Sequence, residues 1–303
     1  MLDVCLAGTG GMMPLENRWL TCCWTEYQGD AILIDCGEGT QIALKKAGCK
    51  LSRLRLLLFT HFHADHTAGL PGLLLTVGNS GKTSPLTIVG PRGLRRVVEA
   101  LMTIAPALTY PLELVELDAS QPGSLDAAPL EISWLPLRHR VPCVGYRITL
   151  RRPPVFNPQK AQALAIPVQF YRRLHAGQAV ELEDGRTIQP EQVLDGERAP
   201  IRVCYCTDTL PIPEIATFAQ NADLMIGEGM YGDDEMREKL QEKTHSLFSD
   251  TARLAKQAGA QQLWLTHYSP ALTDPQGCLD VARAIFPATT AAYDGIRTTL
   301  TGE

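Results

Sequence analysis

The chain has 303 residues, 45% of them hydrophobic, enough for one large or two ordinary domains with a well-filled core. Its formal net charge of −5 excludes a whole-molecule field that attracts nucleic acid, so binding of any polyanion needs a local patch. The N-terminal MLDVCLAGTGGMMP resembles neither a signal peptide nor a membrane span, and the nine cysteines lack paired spacing, so a cytoplasmic protein with reduced, mostly buried thiols and no membrane partner is expected.

A first strand fits Val4–Ala7, followed by the turn-rich Gly8-Thr9-Gly10-Gly11, and a hairpin pairs Trp24–Tyr27 with Ala31–Asp35. The pattern predicts a helix over Thr40–Lys46 with Thr40 as its cap, then a buried strand over the short apolar run Leu54–Thr60. Helices at Leu70–Val77 and Leu94–Ile104 alternate with strands at Leu86–Val89, Leu112–Glu116 and Leu130–Pro136. Residues Arg151 to Gly196 differ: Pro153, Pro154, Pro158, Pro167, Gly177, Gly185 and Pro190 punctuate short helical pieces such as Gln159–Leu164, which reads as an inserted arm. The core pattern resumes with strand Ile201–Cys206, helix Pro213–Ala219, strand Leu224–Gly227, helix Ser246–Gln257 and strand Gln262–Thr266. Two strand-bearing halves, each ending in helices, fit an α/β sandwich of two mixed sheets with helices on both outer faces.

Charge is segregated along this chain. From Ile132 to Val180 there is no Asp or Glu, whereas Arg138, Arg140, Arg147, Arg151, Arg152, Lys160, Arg172 and Arg173 contribute eight positive charges. With Tyr171 beside Arg172 and Arg173, the arm reads as a grip for a nucleic-acid backbone; a basic solvated loop or a subunit contact is the alternative.

The densest chemistry is Thr60-His61-Phe62-His63-Ala64-Asp65-His66, four potential metal ligands in six residues directly after a buried strand. A strand end is a rigid place from which to project side chains into one cavity, and imidazole with carboxylate suits zinc and similar ions. His139, Asp208 and His267 recur in the same setting, each at or just beyond an apolar strand. Any one of these alone reads as a hydrogen-bonding loop residue, but seven together predict a dinuclear site. His61, His63 and His139 would serve one ion and Asp65, His66 and His267 the other, with Asp208 between them. Two such ions about 3.5–4 Å apart share a hydroxide, the expected nucleophile for hydrolysis. Zinc is the first choice, with manganese or iron also compatible.

THFHADHTAGLPGLL from Thr60, DCGEGTQ from Asp35, HRVPCVGYR from His139, CTDT around Asp208 and LTHYS around His267 together resemble ribonuclease Z, also called tRNase Z. The resemblance spans essentially the whole chain. It implies one αββα metallo-β-lactamase domain over 1–303, carrying a substrate-gripping exosite over 151–196, and removal of 3′ trailers from tRNA precursors. It also implies the seven ligands above, with Asp65 helping to orient or deprotonate the attacking water, and a homodimer whose arms each serve the partner's active site. Thr244-His245-Ser246-Leu247 occupies the place of the family's H-S-T motif, which makes His245 the candidate general acid and Glu228 the carboxylate that orients it. Without the resemblance, His245 reads equally well as an N-terminal helix residue and Glu228 as a solvated acid. Asp35 is expected to support the metal loop through hydrogen bonds, with Gly37 and Gly39 permitting a tight turn beside it. Arg151, Arg152, Lys160, Tyr171, Arg172 and Arg173 are the candidate substrate contacts.

Three departures from the family pattern fall where substrate would touch the protein. Val168-Gln169-Phe170 replaces a glycine-proline pair in the arm, His267-Tyr268-Ser269-Pro270 lacks a following Arg-Tyr pair, and H-S-T is His245-Ser246-Leu247. They leave two competing expectations open: a hydrolase of small phosphodiesters or other esters, and a non-catalytic RNA-binding protein with a structural metal site.

Overall fold

In a strand, alternate side chains face opposite sides of the sheet. In Leu2–Gly8, accordingly, Leu2, Val4 and Leu6 enter the central core while Cys5 and Ala7 enter an outer one. The computed structural model describes residues 1–105 and 107–302. One seven-stranded sheet runs, edge to edge, Ile296–Leu300, Leu2–Gly8, Cys22–Tyr27, Asp30–Ile34, Leu54–Leu58, Leu86–Pro91 and Leu112–Leu117. The other runs Thr289–Ala291, Leu263–Thr266, Leu224–Glu228, Ile201–Cys206, Cys143–Leu150, Leu130–Leu137 and Gly123–Ala127. Each joins a run of parallel strands to a run of antiparallel ones.

The two sheets pack face to face through residues such as Ile34, Leu58, Val144, Tyr146, Val203, Tyr205 and Ile226. Helices Thr40–Lys46, Leu70–Asn79 and Leu94–Met102 cover the outer face of the first sheet, and Glu214–Phe218, Phe248–Ala258 and Asp280–Arg283 that of the second. The result is the expected α/β sandwich in four layers, αββα.

Several local expectations change. Thr40 is not the cap of its helix: Gly39 precedes it with φ 81°, and a Cβ there would meet the Trp19 ring at 2.4 Å, so only glycine fits; the Thr40 hydroxyl donates to Gly37 O instead. The helix expected from Ser246 starts at Phe248, because the Ser246 N–H is held by Glu228 and its hydroxyl by Thr209 O. Strand Cys143–Leu150 was hidden by Arg147, whose guanidinium lies over the Phe218 ring and donates to Phe218 O. Edge strand Gly123–Ala127, which alternates half-buried and exposed residues, carries too little apolar signal to stand out. All nine cysteines are unpaired, eight of them buried, and among the described residues no helix is long and apolar enough to cross a membrane.

Between strands Cys143–Leu150 and Ile201–Cys206 the chain forms a unit with its own apolar centre, built from Ala161, Ile166, Leu174, Val180, Leu182, Ile188 and Val193. Besides short helices at Pro158–Ala163 and Tyr171–His175 it contains two pairs of two-residue strands, which proline and glycine punctuation concealed in the sequence.

Candidate metal centre

Parallel strands direct their C-terminal ends to one edge, and there the site assembles. His61, His63, Asp65 and His66 follow Leu54–Leu58 of the first sheet; His139, Asp208 and His267 follow strands of the second, and Glu228 ends one. Among the described residues eight non-glycine residues have positive φ, and five are here: Met12, Asp35, Asp208, Thr244 and His267. Left-handed backbone is sparsely populated by such residues, so these turns mark where the chain is bent to aim side chains. The Asp35 turn also packs tightly on the histidine loop: a Cβ on Gly37 would lie 2.0 Å from Asp65 O.

The histidine rings are held from behind. Asp35, fully buried, accepts from His66 Nδ1 at 2.8 Å and from the Thr60 hydroxyl at 2.9 Å, and Thr60 Oγ1 in turn accepts from His61 Nδ1 at 3.0 Å. Glu228, also buried, accepts from His245 Nδ1 at 2.6 Å and His267 Nδ1 at 3.1 Å, so it is not a solvated acid. His139 Nδ1 lies 2.9 Å from Thr244 Oγ1. With Nδ1 engaged, Nε2 of each ligand candidate among these rings is free for the cavity.

Two sets of donor atoms result. His63 Nδ1 lies 3.0 Å from His61 Nε2 and 3.3 Å from His139 Nε2, close to the roughly 3.3 Å expected between ligands of a tetrahedral zinc–nitrogen centre. In the second set His66 Nε2 and His267 Nε2 are each 3.5 Å from Asp65 Oδ2 and 3.2 and 3.3 Å from Asp208 Oδ2. Asp208 groups with His61 and His66 on one side and with His267 on the other. His66 Nε2, His267 Nε2 and Asp208 Oδ2 are buried without a hydrogen-bond partner. These three orphaned atoms, within a cluster of two carboxylates and five imidazoles, fit divalent cations.

Electrostatics agree with that fit. Burial opposes charge on His267, but Asp208, Asp65 and Glu228 outweigh it and push its pKa up to about 10; His66 is likewise raised, against burial, by Asp208 and Asp35. His61 and His139 are lowered, chiefly by burial, as neutral ligands require. The acidic half of the site thus demands positive charge, which protons supply or a metal supplies by displacing them.

His245 sits beside both sets, its ring stacked on His267 at 5.8 Å between centroids. It precedes the helix rather than belonging to it. A cavity of about 400 Å³ opens over His63, Asp65, His139, Asp208, His245 and His267, with exposed Met12, Arg140 and Lys243 also in its wall. Sequence reasoning missed Thr60 and Thr244 as supports, and Met12, whose N–H donates to Asp65 Oδ2 at 2.8 Å; only Thr60, inside the histidine motif, carried a signal.

Comparisons with known proteins bear on this arrangement. Residues 193–268, which include Asp208, Glu228, His245 and His267, match the Beta-lactamase superfamily domain, and residues 2–98 match the family of Anti-Pycsar protein Apyc1. The ribonuclease Z of Lachnospira eligens is 48% identical over 97% of this chain and 96% of its own. The chain belongs to the ribonuclease Z family. Among solved structures, human tRNase Z, short form, shares the fold at TM-score 0.67, with 24% identity over 98% of both chains. The metallo-beta-lactamase fold protein YhfI from Bacillus subtilis shares it at TM-score 0.69, with 20% identity over 98% of both.

The arm residues expected to meet substrate in this member of the ribonuclease Z family are not equivalent. Arg151 pairs with Glu131, Arg152 donates to Gly302 O, and Lys160 pairs with Asp195 at 2.5 Å. Tyr171 is half-buried against Phe156, 4.8 Å between centroids, so it is not the free stacking platform its sequence neighbours suggest. Arg172 and Arg173 are exposed, with no ion partner among the described residues. At the tip Val168 is 75% exposed while Phe170 packs on the arm's apolar centre.

Proposed function

We propose that this chain is a metal-dependent endoribonuclease that removes 3′ trailers from tRNA precursors. The observation that carries the reading is the meeting of two donor sets at Asp208, with buried orphan atoms, beside the His245–Glu228 pair. Membership of the ribonuclease Z family supports the reaction and its RNA substrate.

His61, His63 and His139 would hold one divalent ion and Asp65, His66 and His267 a second, with Asp208 between; the donor chemistry favours zinc and also accepts manganese or iron. Bound there, the ions supply Lewis acidity toward the scissile phosphoryl group and make water a competent nucleophile at neutral pH. Asp65, pinned by the Met12 N–H, would help to orient or deprotonate that water. Burial lowers the His245 pKa, but the Glu228 charge and hydrogen bond outweigh it and raise it, which favours the form that can deliver a proton to the leaving ribose oxygen as the P–O bond breaks. Arg172 and Arg173 grip the RNA backbone from the arm 151–196. The protein works in the cytoplasm as a homodimer, each arm serving the partner's site.

Purified protein supplied with zinc or manganese is expected to cleave a tRNA precursor just after the discriminator base, and to hydrolyse bis(p-nitrophenyl) phosphate. Hydrolysis of the small diester at full metal occupancy, with no cleavage of the precursor, would reject the tRNA assignment.

A further inference from the structure

At Thr244 the backbone and the side chain ask for different residues. It closes helix Arg237–Lys243 at φ 63°, ψ 47°, a left-handed conformation that glycine enters freely and a β-branched residue resists. Its hydroxyl donates to Lys243 O at 2.6 Å, which leaves the oxygen to accept from His139 Nδ1–H at 2.9 Å. The Thr244 carbonyl, at 3.4 Å, is a more distant acceptor for the same proton. His61, His66 and His267 are held through Thr60, Asp35 and Glu228, but His139 Nδ1 has no other partner than Thr244 among the described residues.

We propose that Thr244 is a positioning residue that fixes the Nδ1-protonated form of His139 and so presents Nε2 to the first metal set, 3.3 Å from His63 Nδ1. The inference rests on the reading of His139 as a ligand. It also explains why a residue ill-suited to the backbone stands there: the hydroxyl outweighs the strain. Because His245 is the next residue and its N–H bonds Leu240 O at 3.0 Å, one turn sets both the orientation of a metal ligand and the place of the general acid. Displacing helix Arg237–Lys243 would disturb the two together.

The test is zinc affinity of the purified protein, measured by competition with a chromophoric chelator, together with the thermal midpoint of the metal-free protein. Thr244→Val, which keeps shape and strain but lacks the hydroxyl, is expected to weaken the zinc-binding step that His139→Ala removes by roughly 10- to 100-fold. Thr244→Ser should bind zinc as the parent does. Thr244→Gly should unfold at the same or a higher temperature than the parent yet lose zinc affinity as Thr244→Val does. In a His139→Ala background, Thr244→Val should cause no further loss. The proposal is overturned if Thr244→Val binds zinc like the parent, if Thr244→Gly does so through its carbonyl, or if the losses add in the His139→Ala background. Unchanged zinc binding by His139→Ala alone would instead remove the ligand assignment, and the proposal with it.

Discussion

Glu228 Oε1 accepts the Nδ1 proton of His245 at 2.6 Å from a position almost sealed from solvent. The second oxygen takes the N–H groups of Ser246 and Thr209, so a single carboxylate fixes the candidate acid, the loop that carries it and the turn after Asp208. Glu228→Gln puts an amide N–H among these donors. Its kcat on precursor RNA should fall by the roughly 10²- to 10⁴-fold associated with a general acid. Each donor left unpaired should cost about 1–3 kcal/mol, read as a lowered unfolding midpoint. An unchanged kcat would show that the pair is structural only.

The pH dependence follows from the same contact. Burial lowers the His245 pKa, but the Glu228 charge and hydrogen bond outweigh it and raise it above the ordinary histidine value of about 6.5. A proton donor is active below its pKa, so the alkaline limb of kcat should lie above that value and shift to lower pH in Glu228→Gln. The stabilisation from this pair is fully present below the unfolded pKa and is lost as pH rises through the raised folded one. Unfolding midpoints measured across that window should show the loss in the parent and a smaller one in the variant.

Removing metal should destabilise the protein as well as silence it. Three buried orphan atoms then face one another with only protons to satisfy them. At free zinc 100-fold above its dissociation constant, each independent site should contribute about 2.7 kcal/mol, seen as a calorimetric midpoint that falls on chelation and returns with zinc. Elemental analysis should find two equivalents of metal per chain. His66→Ala, which also removes one of the donors to the Asp35 carboxylate, should abolish turnover of RNA and of bis(p-nitrophenyl) phosphate alike.

The arm should discriminate between its own cations. Arg172→Ala with Arg173→Ala should weaken precursor binding and lower the slope of log affinity against log salt by about 2, while hydrolysis of the small diester is unchanged. Lys160→Ala, which breaks an internal pair with Asp195, should leave that slope nearer the parent's. Equal slopes in all three proteins would remove the arm from RNA recognition.

How much of this was readable in the chain depends on what each residue had to signal. The histidine motif follows an apolar strand with ligand spacing, and His139, Asp208 and His267 each fall one or two residues beyond such a strand, so apolar runs together with ligand chemistry singled them out. Glu228 was ambiguous because the last residue of a buried strand and the first of an acidic loop look alike in sequence. Thr244 carried no signal, since its role depends on a left-handed backbone and on contact with His139, 105 residues earlier. Cys143–Leu150 was obscured by Arg147, whose packing on the Phe218 ring and hydrogen bond to Phe218 O are tertiary facts. The arm's cations looked uniform because ion pairing with Glu131 and Asp195 is not local.

The site draws four residues from the first sheet and the rest from the second, and the strand Ile296–Leu300 returns to pair with Leu2–Gly8. A chain cut before His267 therefore lacks a full donor set, and one cut before Ile296 leaves its first strand with an open edge. Competence thus belongs to the closed pair of sheets and to no single stretch of the chain.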